Sequence, residues 1–146
     1  MYGFIPSDES VNALYAAMIQ DKKKETIEDR FSKELTFKIV NEIIENNLKV
    51  DFFNLKSRNA KRNVGDARHI TWKLIKEFSD MSKKEIGRRY GGRDHSSVIS
   101  GIAKVEALIE TDKIFADRYF VCRHEVYVAL KANQENNNGK PVENKV

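Results

Sequence analysis

The sequence predicts an all-α protein, a helical bundle that contains a helix-turn-helix. Turn-forming residues are scarce, with seven Gly and two Pro among 146 residues. Apolar residues recur at spacings of three and four along most of the chain, as expected for helices with one buried face. In the second half of the sequence a Gly-Gly pair separates a short predicted helix from a longer one, which is the pattern of a helix-turn-helix.

The size and composition fit one domain with tails. A hydrophobic content of 40% supplies one modest core. We divide the chain into an amino-terminal helical extension at residues 1–34, a domain at residues 35–131 and a disordered tail at residues 132–146. The tail is rich in Asn and charged residues and has few large apolar groups to bury.

Cysteine usage and the lack of a leader pattern indicate a location. Cys122 is the single cysteine, so no intramolecular disulfide or multi-cysteine metal cluster is expected. The sequence has no signal-peptide pattern and no apolar run as long as a membrane span. We therefore expect a cytoplasmic protein, associated with the nucleoid if it binds DNA, with no membrane partner, bound nucleotide or cofactor.

The positive charge is concentrated in one part of the sequence. Residues 56–93 contain twelve Lys or Arg against four Asp or Glu, whereas the whole chain has a formal net charge of only +4. A basic patch is typical of nucleic-acid-binding proteins, because each cation that meets a phosphate releases condensed counterions. A Lys-rich solvated surface is the alternative interpretation.

Two helices are predicted before the basic region. The second starts at a capping box formed by Thr26 and Asp29, and its apolar face covers residues 27–44. It is either continuous or broken once. The first follows a cap at Ser7 or Asp8 and has its apolar residues at Val11, Leu14, Tyr15, Met18 and Ile19. In our interpretation the first helix packs on the core, and a homodimer face is the alternative.

A basic segment at residues 56–63 separates these helices from the next one. A short apolar turn at residues 50–55 leads into it, and it has no hydrophobic periodicity. Helical spacing returns at Asp66, with an apolar face formed by Ala67, Ile70, Leu74, Ile75, Phe78 and Met81. Arg68, Lys73 and Lys76 are predicted near the opposite, basic face. Trp72 lies off the apolar face, and we expect it to pack against a terminal helix.

Two helices joined by a tight turn are predicted next. Ser82 and Glu85 have the spacing of a capping box, so a helix should start at Lys83. The glycines at residues 91–92 supply positive φ at its end, and Asp94 is a suitable cap for a new helix. That helix is predicted to bury Val98, Ile102, Val105 and Ile109 and to expose His95, Ser96 and Ile99. Finally, Thr111 or Asp112 caps a last helix with Phe115, Tyr119, Cys122, Val126 and Leu130 on one face.

Residues 85–98 read Glu-Ile-Gly-Arg-Arg-Tyr-Gly-Gly-Arg-Asp-His-Ser-Ser-Val. This segment resembles the signature of the carboxyl-terminal DNA-binding domain of DnaA, the bacterial chromosomal replication initiator. The similarity extends upstream through residues 67–70 and 76–78 and downstream through Ile102 and residues 104–105, so it covers roughly residues 35–108. Such a long ordered run is far more specific than a lone glycine motif. The resemblance implies a Trp-repressor-like helix-turn-helix that binds double-stranded DNA.

The resemblance also implies which residues contact DNA. The bases would be contacted by Asp94, His95 and Ser96. The DNA backbone would be held by Arg68, Lys76, Arg93 and Ser97. The chemistry agrees, because a carboxylate accepts from the cytosine amine, an imidazole or hydroxyl meets acceptor edges, and a helix amino terminus favours a phosphate. The alternative is that Asp94 only caps a helix and its neighbours are solvated.

The chain departs from the family pattern at three places. Ser96 and Ser97 replace the usual threonines, which removes a methyl group that can touch a thymine methyl. Lys83 and Lys84 replace Leu-Pro, which exchanges an apolar groove contact for attraction to phosphate. The expected minor-groove arginine aligns with Ala60, although the nearby cations of the basic segment, Arg58, Lys61 and Arg62, are able to substitute. An ordinary flexible basic loop is the alternative there.

The predicted function is sequence-specific binding of duplex DNA without catalysis, at replication-origin boxes like those of the family, with regulation of initiation. No Gly-rich phosphate loop ending in Gly-Lys-Ser or Gly-Lys-Thr occurs, so we expect no ATPase module. The alternatives are a transcriptional or mobile-element regulator, a small metal-dependent nuclease that uses Asp94 and His95, and a pure protein-interaction module. Cys122 and His124 are two residues apart on a predicted helix and face different ways, which argues against a metal site.

Overall fold

The computed structural model describes the backbone of residues 30–139 and the side chains of residues 30–135. The first predicted helix and the cap at Thr26 and Asp29 lie outside the described residues. The described backbone forms six helices: α1 (Lys33–Leu48), α2 (Phe52–Lys56), α3 (Arg62–Phe78), α4 (Lys83–Arg89), α5 (His95–Thr111) and α6 (Lys113–Gly139). The prediction of an all-α fold is confirmed.

Helix α1 begins later than the sequence pattern predicts. Its cap is Ser32, whose side chain accepts a hydrogen bond from the backbone N–H of Leu35 at 3.1 Å. The preceding residue, Phe31, is not helical, because its N–H donates to the carbonyl of Phe78 at 2.7 Å. This pairing satisfies a carbonyl that the end of α3 would otherwise leave without a partner. Residues 30–32 are therefore not helical, so the continuous form of the predicted helix is wrong, whereas a break at this place agrees with the alternative of a helix broken once.

The segment between α1 and α3 contains more helix than expected. The apolar turn is a short helix, α2, capped by Asp51, whose carboxylate accepts from the N–H of Asn54 at 3.0 Å. Helix α3 starts at Arg62 rather than at Asp66. The connection is thus limited to residues 57–61, which we call the α2–α3 loop.

Helix α3 is the central element and packs against α1, α5 and α6. It buries its predicted apolar face, but Arg68 and Lys73 are also buried, at 7% and 8% exposure. The prediction that both lie on a basic outer face is therefore wrong. Arg68 is satisfied there by main-chain carbonyls, and the ammonium of Lys73 reaches Glu106 at 3.4 Å while its methylene groups stay inside.

Trp72 completes the contact between α3 and α5. Its ring is 1% exposed and lies beside Tyr90, with ring centroids 6.4 Å apart. On α5 it abuts Gly101, where an added Cβ would lie 2.9 Å from the indole. The contacts that the structure gives for Trp72 are therefore with α5 and the turn rather than with the terminal helix expected from the sequence, and the absence of a side chain at Gly101 gives the indole room against α5.

Helix α6 begins after Asp112, whose carboxylate accepts from the N–H of Phe115 at 3.1 Å. The five apolar residues predicted on one face are buried. The helix continues to Gly139, through most of the segment predicted to be a tail. Within the described part of the chain, no helix is both long enough and apolar enough to cross a membrane.

Candidate nucleic-acid interface

The α4–α5 turn has the local geometry that its sequence predicts. Ser82 caps α4 by accepting from the N–H of Glu85 at 3.1 Å. Gly91 and Gly92 adopt φ values of 85° and 72°, a region that L side chains rarely enter. The N–H of Arg93 then donates to the carbonyl of Gly87 at 2.9 Å, which closes the turn. The predicted helix-turn-helix is therefore present.

Two glycines allow the turn to pack closely. A Cβ at Gly87 would collide with the main-chain carbonyl of Arg93. A Cβ at Gly91 would collide with the carbonyl of Lys56, at the end of α2. Backbone atoms cannot move aside as a flexible side chain can, so both positions require glycine on steric grounds. The turn thus lies directly against the beginning of the α2–α3 loop.

The amino terminus of α5 is exposed and polar. Asp94 caps the helix, with its Oδ1 accepting from the N–H of Ser97 at 3.1 Å and from the hydroxyl of Ser96 at 2.9 Å. The hydrogen bond from Ser96 has the largest effect, and together these hydrogen bonds hold the pKa of the Asp94 carboxyl below its usual value. The carboxyl is therefore ionised at neutral pH. Asp94, His95 and Ser96 are all exposed, as is the following Ser97. The three residues predicted to read bases therefore lie together on one accessible helix end.

His69, on α3, lies against α5 at Gly101. Its ring lies 5.3 Å from that of Trp72. Burial, followed by the positive charges of Lys104, Arg68 and Arg93, lowers the pKa of His69 to about 4. The imidazole is therefore neutral at pH 7 and adds no charge to the basic surface.

A polar depression lies along the α3 side of α5. Its lining contains no carboxylate and three cations, Arg68, Arg93 and Lys104. The rest of the lining consists of the serines at positions 96, 97 and 100 together with His69, Trp72 and Gly101. The structure thus brings together three of the predicted DNA-backbone residues, Arg68, Arg93 and Ser97. Sequence reasoning missed Ser100 and Lys104. Their spacing from Ser97, three and seven residues along a helix, is the signal that could have found them.

Arginines hold the α2–α3 loop to α3 and to the turn. Arg68 donates from Nε to the carbonyl of Leu55 at 2.8 Å and from Nη2 to the carbonyls of Ser57 and Asn59 at 3.1 and 3.2 Å. Burial, and then the charge of Arg58, lowers the pKa of Arg68. Arg58 itself donates to the carbonyl of Gly91 at 3.1 Å. Arg58, predicted to reach the minor groove, thus contacts the turn in the free protein.

The remaining predicted residues occupy separate positions. Lys61 is exposed in the loop, and Arg62 is exposed on the first turn of α3, 4.0 Å from Asp66. Lys76 donates to the carbonyl of Met81 at 3.3 Å, and its pKa is lowered by burial and by Lys83. Lys84 is exposed and Lys83 is half-buried, both at the start of α4.

Cys122 and His124 point to different environments, as predicted. Cys122 is buried, and burial raises the pKa of its thiol to about 12. His124 is exposed. Among the described residues, no group of three or more His, Cys, Asp or Glu side chains is placed to hold a metal ion.

Helices α4 and α5, their glycine turn and the exposed start of α5 define a helix-turn-helix DNA-binding domain. Residues 37–105 match the family model described as the bacterial dnaA protein helix-turn-helix. The chain therefore carries a DNA-binding domain of the bacterial DnaA family, and the resemblance stated from the sequence is confirmed.

Proposed function

We propose that this protein binds double-stranded DNA sequence-specifically, with the amino terminus of α5 in the major groove. The observation that carries the proposal is the exposed row Asp94, His95 and Ser96, which begins a helix beside a cationic depression free of carboxylates. An ionised carboxylate accepts from the cytosine amine, and the imidazole and hydroxyl meet other base edges. The three groups project from one rigid helix end, which fixes their register on DNA.

The depression beside α5 is suited to a phosphate of the DNA backbone. It combines the positive charges of Arg68, Arg93 and Lys104 with the hydroxyls of Ser97 and Ser100. Phosphate contacts position a protein on duplex DNA, while base contacts supply the specificity. Lys76, Lys83 and Lys84, on the adjoining ends of α3 and α4, would extend the contact along the backbone. Lys61 and Arg62 would approach the neighbouring minor groove.

The biological role that this activity supports is binding to origin boxes and regulation of replication initiation. The family match to a replication initiator's DNA-binding domain supports it. Mapping the sites that the protein occupies in cells tests it: enrichment at the replication origin is expected, whereas enrichment at promoters or mobile elements would assign the protein to transcription or element control.

The binding experiment compares a duplex containing the A·T-rich box of the family with a shuffled duplex at several salt concentrations. We expect a preference for the box, and a slope of log affinity against log salt of about −5 to −8, as for roughly six to nine phosphate contacts. No affinity for either duplex at low salt would contradict DNA binding.

Three substitutions separate base contacts from backbone contacts. His95→Ala should abolish the preference between the two duplexes, whereas Lys76→Ala and Lys104→Ala should weaken binding to both alike. Lys38→Ala is the matched control, because Lys38 is an exposed cation on α1, which contributes nothing to the proposed interface. If His95→Ala weakens both duplexes equally, α5 does not read bases through this residue.

A further inference from the structure

We propose that Arg93 is a positioning residue. It holds the α2–α3 loop against the glycine turn, so that the loop and α5 keep a fixed position relative to each other when they approach DNA. The inference rests on the proposed function and gives Arg93 a role other than direct contact with phosphate. It follows from where the guanidinium groups of Arg58, Arg68 and Arg93, the arginine cluster, direct their N–H donors.

Arg93 connects three parts of the chain. Its Nη2 donates to the carbonyl of Ser57 in the loop at 2.6 Å. Its Nη1 donates to the carbonyl of Tyr90 in the turn at 2.5 Å and, at 3.4 Å, to that of Lys56 at the end of α2. The guanidinium carbon lies 5.8 Å from the ring of Trp72, so the group is held in place as well as hydrogen-bonded.

The other two arginines act on the same loop. Arg68 donates to the carbonyls of Ser57 and Asn59, so the carbonyl of Ser57 accepts from both Arg68 and Arg93. Arg58 donates in the opposite direction, from the loop to the carbonyl of Gly91. Every acceptor that the structure describes for the cluster is a main-chain carbonyl. Such contacts fix the path of the backbone, and they do not depend on which side chains the loop carries.

An ordered loop binds DNA more tightly than a disordered one with the same charges, because less conformational entropy is lost on binding. A direct contact between Arg93 and phosphate predicts something different. Its loss would weaken binding by the same factor whatever the loop carries, whereas loss of a positioning residue matters only while the loop side chains contribute to binding. The two roles are therefore separable by a double-mutant cycle.

The cycle combines Arg93→Lys with a double variant, called the loop variant, in which Lys61 of the loop and the adjoining Arg62, the first residue of α3, are both replaced by Ala. Lysine keeps the charge of Arg93 but has no planar fork to bridge Ser57 and Tyr90. In the otherwise unmodified protein, we expect Arg93→Lys to lower affinity for the box duplex about three- to tenfold. In the loop variant, the same substitution should lower affinity by less than about twofold. An equal loss in both backgrounds would show a direct phosphate contact and overturn the proposal.

Hydrogen exchange in the free protein tests the proposal without DNA, and so separates its failure from failure of the proposed function. The N–H groups of Asn59 and Lys61 are hydrogen-bonded within the loop, to Ser57 Oγ at 3.1 Å and Asn59 Oδ1 at 2.9 Å. Arg93→Lys should speed exchange at these amides while leaving those of α3 unchanged.

Arg58→Lys, at an exposed position, should have a smaller effect in the same direction. Arg88→Lys, an exposed arginine of α4, is the matched control. Unchanged loop exchange in Arg93→Lys would overturn the proposal.

A different observation carries a second inference, which also rests on the proposed function. Ile99 is 45% exposed on α5, one helical turn after His95 and therefore on the same side of the helix. An exposed apolar side chain beside base-reading groups is suited to the methyl group of thymine. We infer that Ile99 supplies an apolar contact to a thymine of the bound site, which the serines at positions 96 and 97 cannot make.

Replacing single thymines of the box by deoxyuridine removes only the methyl group. At one position we expect the unmodified protein to lose about fourfold in affinity, the value of one buried methyl-sized group, and Ile99→Ala to lose none. Ile114→Ala, an exposed isoleucine on α6, should behave as the unmodified protein does. If Ile99→Ala and the unmodified protein respond alike to every deoxyuridine, the assignment is wrong, even where the box preference itself is intact.

Discussion

Asp94 is a single residue with two tasks. Its carboxylate caps α5 in the free protein by accepting from Ser96 and Ser97, and in our proposal it also accepts a hydrogen bond from a base. Both hydrogen bonds of the cap are to Oδ1, so the two tasks share one carboxylate group. A variant that removes the side chain therefore tests the cap and the base contact together, and only a variant that retains a cap separates them.

Asp94→Asn should keep the cap, because Asn is as good a helix cap as Asp, and should alter base preference, because one carboxylate acceptor becomes an amide donor. Asp94→Ala should lower the Tm by a few degrees as well as reduce base preference. Thermal unfolding and binding to the two duplexes measure these effects. An unchanged preference in Asp94→Asn would leave Asp94 with the cap alone.

Ala60 marks the place where the family pattern has a minor-groove arginine. The residue is exposed in the α2–α3 loop, so a longer side chain has room. Ala60→Arg should raise affinity for the box duplex and steepen the salt slope by about one. Ala107→Arg, an exposed position far along α5, adds the same charge away from the loop. An equal gain from both variants would show a general charge effect without a minor-groove contact.

At the scale of elements, the position of α5 depends on its contact with α3. The backbone of Gly101 faces His69 and Trp72, and a Cβ there would lie 2.6 Å from Cδ2 of His69 and 2.9 Å from the indole. Both rings are packed in place, so α5 would have to move away from α3. The depression beside α5 lies along this contact, and its shape therefore depends on it.

Gly101→Ala should destabilise the fold by about 1–3 kcal/mol through overpacking, and weaken DNA binding by displacing α5. Gly65→Ala is the matched control, because Gly65 is also helical and a Cβ there would meet nothing within 4 Å. It should be stabilising by about 0.5–1 kcal/mol, since alanine favours helix. Denaturant unfolding measures both. If the two variants are equally stable, the α3–α5 contact is looser than described.

At the scale of the whole molecule, a largely buried ion pair joins α6 to α3. The Nε of Arg123 donates to Glu77 at 2.8 Å, and the hydroxyl of Tyr119 donates to the same carboxylate at 2.6 Å. Burial opposes ionisation of Glu77, but the charges of Arg123 and Lys73 and these hydrogen bonds outweigh it. The pKa of Glu77 is therefore below its usual 4.5.

A carboxyl whose pKa is depressed on folding stabilises the protein above its unfolded pKa, and this stability is lost as pH falls through the folded pKa. The ionised Glu77 carboxylate should therefore stabilise the fold fully at neutral pH, and this stabilisation should be lost as the pH falls below about 4.5. Glu77→Gln should cost about 3 kcal/mol at pH 7 and flatten the stability profile in acid. Glu106→Gln, an exposed carboxylate paired with Lys73, should change stability by about 0.5 kcal/mol or less. An unchanged acid profile in Glu77→Gln would contradict this role.

Features that depend on neighbouring residues were predictable from the sequence alone. The caps at Ser82, Asp94 and Asp112 and the positive φ values at the Gly-Gly pair follow from a few consecutive side chains, and all are present. The exposed residues at the start of α5 also follow from helical spacing, because they lie opposite the apolar face.

The contacts of Arg68, Trp72 and Arg93 depend on the three-dimensional packing. Their partners are carbonyls and a glycine on other elements, and main-chain carbonyls leave no mark on the pattern of side chains. A periodic pattern tells which face of a helix is buried, but not which charged residue the core accommodates. For that reason the sequence identified the helix that we propose reads DNA, and the three-dimensional packing revealed how the loop beside it is held.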